Sequence, residues 1–107
     1  MTIDLFIMRN WNEISSRKSS DFELSYALSL YAVLEKNKSK YPLLHNLLSD
    51  PYADNKFSYQ ETTRMIKEIA DLVKMENIVK DALKELNALA EKLKSMKPNT
   101  YLFAVGD

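Results

Sequence analysis

The spacing of apolar positions changes several times along the chain, and each change predicts a different structural element. Residues 3–8 form a short, mostly apolar run between polar neighbours, which is typical of a buried strand. Residues 101–105 form a similar run near the other end. Because an isolated strand leaves its backbone groups without hydrogen bonds, we expect these two segments to pair in a small two-stranded sheet packed on helices.

The region from residue 20 to residue 48 predicts two helices. Ser20 and Glu23 have the spacing of a capping box, which would open a helix running to about Lys38. This first helix has apolar residues around most of its circumference, and so broad an apolar surface is expected of a central helix contacted on several sides. Pro42 fits the first turn of a second, shorter helix with leucines on its buried face. The apolar positions of the first helix are Phe22, Leu24, Tyr26, Ala27, Leu28, Leu30, Tyr31, Val33 and Leu34.

The longest helical tract follows a predicted loop at residues 50–57. Ser58 and Glu61 form a second capping box, and neither proline nor glycine occurs from there to Lys97. The tract is either one helix of roughly forty residues or a helical hairpin that bends near residues 75–77. We favour the hairpin, because a single helix would project from so small a domain and expose apolar surface. A heptad-like seam runs through Leu72, Met75, Val79, Ala82, Leu86, Leu89, Leu93 and Met96.

Together these elements predict a mainly α fold with a minor β component. The expected architecture is a bundle of about four helices, with a small two-stranded sheet made from the N- and C-terminal segments. The chain has 107 residues, of which 46% are hydrophobic and 28% charged, which indicates a globular protein with one core. We therefore expect a single domain over residues 1–107.

Charge, cysteine content and the distribution of apolar runs indicate which partners and which compartment to expect. Fifteen basic residues balance fifteen acidic ones, whereas a nucleic-acid-binding domain normally has an excess of basic residues, so no nucleic-acid partner is expected. The chain has no cysteine, which suits a reducing compartment. Asp4 interrupts any signal-peptide pattern, and no apolar run approaches the roughly twenty residues of a membrane span. A cytoplasmic protein without a membrane partner is expected.

The sequence offers few groupings that could perform catalysis. Gly106 is the only glycine. The rest of the chain therefore contains neither a glycine-rich phosphate-binding loop nor a nucleophile elbow, because both motifs require glycine. His45 is the only histidine, and its place in the leucine-rich helix predicts an ordinary surface or edge residue. With neither cysteine nor a second histidine, a zinc site is not expected. We therefore expect no enzymatic activity, no metal and no cofactor.

One loop has a partial match to a calcium-binding pattern. If Asp50 is position 1 of an EF-hand loop, then Asp54 is position 5 and Glu61 is position 12. Tyr52, however, occupies position 3, where a carboxylate or amide should bind the ion, and Asn55 replaces the usual glycine at position 6. Turn and capping functions account for most of these residues, so calcium binding is only an alternative.

The same loop is the predicted surface for binding a protein partner. Tyrosine is common at interfaces, and Tyr52 has no evident core to fill in so polar and acidic a segment. Trp11 is a second, weaker candidate. The predicted contact residues are Asp50, Tyr52, Asp54, Tyr59 and Glu61.

Three segments resemble a class of known proteins. These are residues 3–5, residues 57–61 and the terminal Tyr101-Leu102-Phe103-Ala104-Val105-Gly106-Asp107, together 15 of the 107 residues. They resemble small bacterial immunity proteins of polymorphic or contact-dependent growth-inhibition toxin systems. This resemblance implies a cytosolic protein that binds a cognate toxin domain and blocks its active site or its activation.

Three functional hypotheses follow. The first is an immunity or antitoxin protein that neutralises a cognate toxin. The second is a homodimeric coiled-coil module that uses the seam from Leu72 to Met96, and the third is a degenerate EF-hand-like, calcium-responsive domain. The first allows a monomer and the second requires a homodimer.

Overall fold

A computed structural model describes residues 3–10, 12–13, 19–49, 55–75 and 78–106 of the chain. These residues form four helices and one four-stranded antiparallel sheet. The elements are β1 (Ile3–Met8), β2 (Phe22–Leu24), α1 (Ala27–Lys36), α2 (Pro42–Ser49), β3 (Asn55–Phe57), α3 (Tyr59–Leu72), α4 (Lys80–Lys94) and β4 (Tyr101–Gly106).

The strands are ordered β2-β1-β4-β3, so the two terminal strands lie at the centre of the sheet. The predicted pairing of these strands is confirmed, with Ile3 opposite Gly106 and Met8 opposite Tyr101. The predicted architecture is wrong, because the sheet has four strands and the fold is not a helical bundle with a two-stranded ribbon. The two added strands have three residues each, too few to show a period-two pattern in the sequence.

Both added strands replace other predicted structures. The predicted capping box at Ser20 and Glu23 is wrong, because Phe22–Leu24 pairs with β1 and α1 begins only at Ala27. The predicted loop at residues 50–57 ends instead in β3, which pairs with β4 through Phe57 and Leu102. In each case a neighbouring strand supplies hydrogen-bonding partners for the backbone, and local sequence cannot show that this strand is near.

The tract from residue 58 to residue 97 is a helical hairpin, as predicted. Helix α3 ends at Leu72 and α4 begins at Lys80, on either side of the expected bend. The second capping box is confirmed, since Ser58 Oγ accepts a hydrogen bond from Glu61 N and Glu61 Oε1 accepts one from Ser58 N. None of the helices in the described part of the chain has the length and apolar character required to cross a bilayer.

The main core lies between the helices and one face of the sheet. Ile3, Leu5 and Leu24 contribute from the strands, and Leu30, Met65 and Leu86 are among the core residues of the helices. The opposite face of the sheet also buries apolar groups, since Met8 and Phe103 are buried there but do not belong to the main core. Lys56 Nζ lies 4.2 Å from the centroid of the Tyr101 ring on this second face.

Carboxylates of the helical hairpin hold the starts of the other two helices. Glu68 of α3 accepts hydrogen bonds from the backbone N–H groups of Leu43 and Leu44, in the first turn of α2. Glu85 of α4 accepts a 2.9 Å hydrogen bond from Tyr26 N, immediately before α1. Helix N-termini have N–H groups without partners within the helix, so these glutamates act as caps supplied from distant parts of the chain.

Candidate functional site

Two of the five predicted contact residues lie within the described part of the chain. Tyr59 is half-buried and packs against the hydrophobic core. Glu61 caps α3 through its 2.9 Å contact with Ser58 N. Both therefore have structural roles at the first turn of α3. Asp50, Tyr52 and Asp54 lie outside the described residues, as does Trp11, and their role at an interface stays a prediction.

The calcium hypothesis depends largely on the same loop. Position 1 and position 5 of the EF-hand spacing, Asp50 and Asp54, lie outside the described residues. Phe57, at position 8, belongs to β3, and Glu61, at position 12, is engaged in the capping box. Elsewhere in the described ranges, no group of three or more histidine, aspartate or glutamate side chains is placed to hold a metal ion.

The seam predicted for a coiled-coil dimer is used within the chain. Of its eight residues only Val79 is largely exposed, with 57% of its surface accessible, and Met75 is partly buried against the core. The other six are buried in the core between the hairpin and the sheet: Leu72, Ala82, Leu86, Leu89, Leu93 and Met96. A second copy of the chain could use this seam only if the core opened.

Helix α1 has a buried inner face and a partly apolar exposed face. Its inner face buries Ala27, Leu30 and Leu34. We call its exposed positions, Leu28, Ser29, Ala32, Glu35 and Lys36, the outer face of α1. Leu28 is 68% exposed, the largest value among the exposed large hydrophobic side chains. No residue from Leu24 to Leu34 is charged, although several are exposed, so the first two turns of this face are apolar or small.

This surface corrects the sequence interpretation of the helix. The broad apolar pattern predicted a central helix contacted on several sides, but α1 leaves Leu28 and Ala32 exposed. Sequence reasoning therefore assigned Leu28 to the core and missed it as a contact candidate. The absence of charge from Leu24 to Leu34 was the available signal, because an exposed helix face normally has charged or polar residues at most positions.

A cluster of three polar side chains joins Glu35 of the outer face of α1 to Tyr31 and His45. His45 Nε2, on α2, is 2.5 Å from Glu35 Oε2, and the His45 ring stacks on Tyr31 with a centroid distance of 5.9 Å. His45 is largely buried, with 18% of its side chain exposed, and Glu35 is 45% exposed. The prediction of an edge histidine agrees with this position. These contacts hold α2 against the C-terminal part of α1, where the outer face of α1 ends.

The electrostatics of the cluster favour an ionised Glu35. The pKa of Glu35 is lowered, first by its hydrogen bond with His45 and then by its hydrogen bond with Tyr31. The pKa of Tyr31 is raised, because its hydroxyl donates to this carboxylate and ionisation would place two negative charges together. Lys38 Nζ, 3.7 Å from Glu35 Oε1, adds a cation on the solvent side.

Among the described residues, the two other exposed large apolar side chains lie near the start of α4. Tyr26 is 37% exposed, and its hydroxyl donates to Asp81 Oδ2 at 3.4 Å. The nearby charge of Asp81 is the largest cause that raises the pKa of Tyr26. Val79 immediately precedes α4. Tyr26 therefore belongs to the α1–α4 junction, and its neighbourhood is acidic, unlike the outer face of α1.

No family model, no curated protein and no solved structure matches this chain.

Proposed function

We propose that this protein is a protein-binding inhibitor of the immunity or antitoxin kind, and that the outer face of α1 is its contact surface. The observation that carries the proposal is the exposed, uncharged stretch around Leu28 and Ala32 on α1, whereas α3 and α4 expose mostly charged or polar residues. Contiguous exposed apolar surface marks protein-binding sites, and Leu28 and Ala32 lie one turn apart on the same side of α1. The likeness of the terminal segments to immunity proteins suggests the class of partner, a cognate toxin domain in the same cytoplasm.

The anchoring of α1 in the core and against α2 supports binding without rearrangement. Leu30 and Leu34 anchor α1 in the core, while Glu35 and His45 connect it to α2. A surface held in its binding conformation loses little conformational entropy on association. Complete burial of Leu28 against a partner would contribute on the order of 1–2 kcal/mol.

The proposed mechanism is occlusion. The domain would cover a surface that the toxin needs for its activity or activation, and it would need no catalytic group, metal or cofactor of its own. A small apolar contact with a polar surround matches the anatomy of protein interfaces, where a few central side chains supply most of the binding energy.

Three exposed helical alanines provide a matched test. Ala32 lies on the outer face of α1, Ala70 on α3 and Ala88 on α4, and all three are exposed. Each is replaced by arginine, and binding to the purified product of the adjacent gene is measured by calorimetry. We expect Ala32→Arg to weaken binding by about 2 kcal/mol or more, roughly thirtyfold, and to abolish neutralisation. Ala70→Arg and Ala88→Arg should bind like the wild type.

Thermal unfolding of all three variants checks that each remains folded. If the adjacent product shows no binding to the wild-type chain and no toxicity, the proposed function is wrong. If it binds and Ala88→Arg is the variant that weakens the complex, the inhibitor function stands but its contact surface lies on α4.

A further inference from the structure

The outer face of α1 ends in a group of lysines. Lys36 lies one turn beyond Ala32 on this face, because residues four apart share one side of a helix. Lys38 and Lys40 follow in the tight turn to α2, and Lys74 lies two residues beyond the end of α3. All four are exposed. We call Lys36, Lys38, Lys40 and Lys74 the basic end of α1.

The carboxylates near the basic end of α1 only partly neutralise it. Lys38 Nζ is 3.7 Å from Glu35 Oε1, and Lys40 Nζ is 3.3 Å from Asp71 Oδ2. The pKa of the same Asp71 is lowered first by its hydrogen bond with Tyr41, and also by the nearby charges of Lys40 and Lys74. Lys38, Lys40 and Lys74 thus share two carboxylates, and the side chains of Lys38 and Lys40 remain 65% and 64% exposed. Ion pairs so open to water are weak, and their lysines remain available to an incoming anion.

We infer that the partner of this chain carries an acidic patch beside an apolar contact, and that the basic end of α1 steers its association. This inference rests on the proposed function. Charge complementarity identifies the occupant, because an acidic surface would meet the lysines while an apolar group covers Leu28 and Ala32. A nucleic acid would match the lysines alone and would leave the adjoining apolar strip exposed to water. A protein surface matches both.

Such an arrangement acts mainly on the association rate. Complementary charges raise the rate of productive encounter, and salt weakens this effect, since exposed charges are screened within about 8–10 Å at physiological ionic strength. The dissociation rate depends more on the buried apolar contact. The two ends of one continuous surface therefore have separable kinetic roles.

The test compares two triple variants of equal charge change. One carries Lys36→Glu, Lys38→Glu and Lys40→Glu. The control carries Lys80→Glu, Lys84→Glu and Lys94→Glu on α4, where all three lysines are exposed. The first triple removes the ion pairs of Lys38 with Glu35 and of Lys40 with Asp71, and the control removes that of Lys94 with Glu91. The probe is the purified product of the adjacent gene, with rates measured by surface plasmon resonance at low and high salt.

We expect the first triple to lower the association rate about tenfold at low salt, with a smaller difference at high salt. Its dissociation rate should change less than about threefold, and the control triple should change the association rate less than about twofold. Equal effects of the two triples, or faster association of the first, would overturn the inference while binding itself upheld the proposed function. Lysine-dependent binding of the wild-type chain to a single-stranded oligonucleotide, with none to the adjacent product, would overturn both.

Discussion

Helices α1 and α4 are built alike on the inside and differently on the outside. Each buries a row of alanine and leucine side chains against the same core, Ala27, Leu30 and Leu34 in α1 and Ala82, Leu86 and Leu89 among those in α4. The exposed positions of α4 are mostly charged: Lys80, Asp81, Lys84, Asn87, Ala88, Glu91 and Lys94. In α1, charge appears only at its last two residues, Glu35 and Lys36.

The inner and outer faces of these two helices differ in what they contribute to the free energy of unfolding. The inner faces bury the apolar side chains that stabilise the fold. A charged outer face like that of α4 stays hydrated, so it needs no further burial. The exposed leucine of α1 adds little to folding, because its side chain is in water in both the folded and the unfolded state. The proposed function assigns this side chain to the partner and not to the core.

The largest expected effect tests the two faces of α1 against each other. Leu30 is 1% exposed and Leu28 is 68% exposed. Leu30→Ala should lower the free energy of unfolding by about 2–5 kcal/mol, because it removes buried methyl groups and leaves a cavity. Leu28→Ala should change it by less than about 0.5 kcal/mol. Urea unfolding followed by circular dichroism measures both values. A large loss in Leu28→Ala would place that side chain in the core and remove it from the proposed contact.

A smaller effect tests how α1 begins. Glu85→Ala should lower the free energy of unfolding by about 0.5–1 kcal/mol, because Tyr26 N loses the carboxylate that it donates to while water replaces part of the bond. Amide hydrogen exchange should quicken in the first turn of α1. The control on the same helix is Glu91→Ala, which removes only the surface pair with Lys94 and should cost less than about 0.5 kcal/mol. Equal losses in the two variants would show that Glu85 has no capping role.

The smallest effect concerns pH. The pKa of Glu35 is lowered in the folded protein, so its ionised form stabilises the fold above the pKa of the unfolded state. This contribution should be lost as the pH falls through the folded pKa of Glu35. The wild type should therefore exceed Glu35→Gln in urea midpoint at pH 6, and the two midpoints should converge in acid. Equal midpoints at both pH values would contradict the linkage between α1 and α2 through Glu35 and His45.

The sequence predicted the parts of the fold whose cause is local. Ser58 and Glu61 lie three residues apart and cap each other, so their pattern alone located the start of α3. Pro42 fitted the first turn of α2 in the same way. The same Ser-x-x-Glu pattern failed at Ser20 and Glu23, because β1 lies beside that segment and extended pairing replaced helix formation. A local motif is decisive only where no distant backbone competes for its hydrogen-bonding groups.

The candidate site shows the same division. That α1 is a helix with a broad apolar surface and no charge from Leu24 to Leu34 can be read from the sequence. Which of its leucines meets the core and which meets water was decided only when one side of α1 was buried in the core. The contacts of Glu35 with His45, and of Glu85 with Tyr26, likewise join residues 10 and 59 positions apart.

The sequence by itself determined where most helices form and which residues are apolar, because these depend on neighbours along the chain. Tertiary structure alone decided the two added strands, the distant caps and the exposed face of α1, because each depends on groups that only folding brings together.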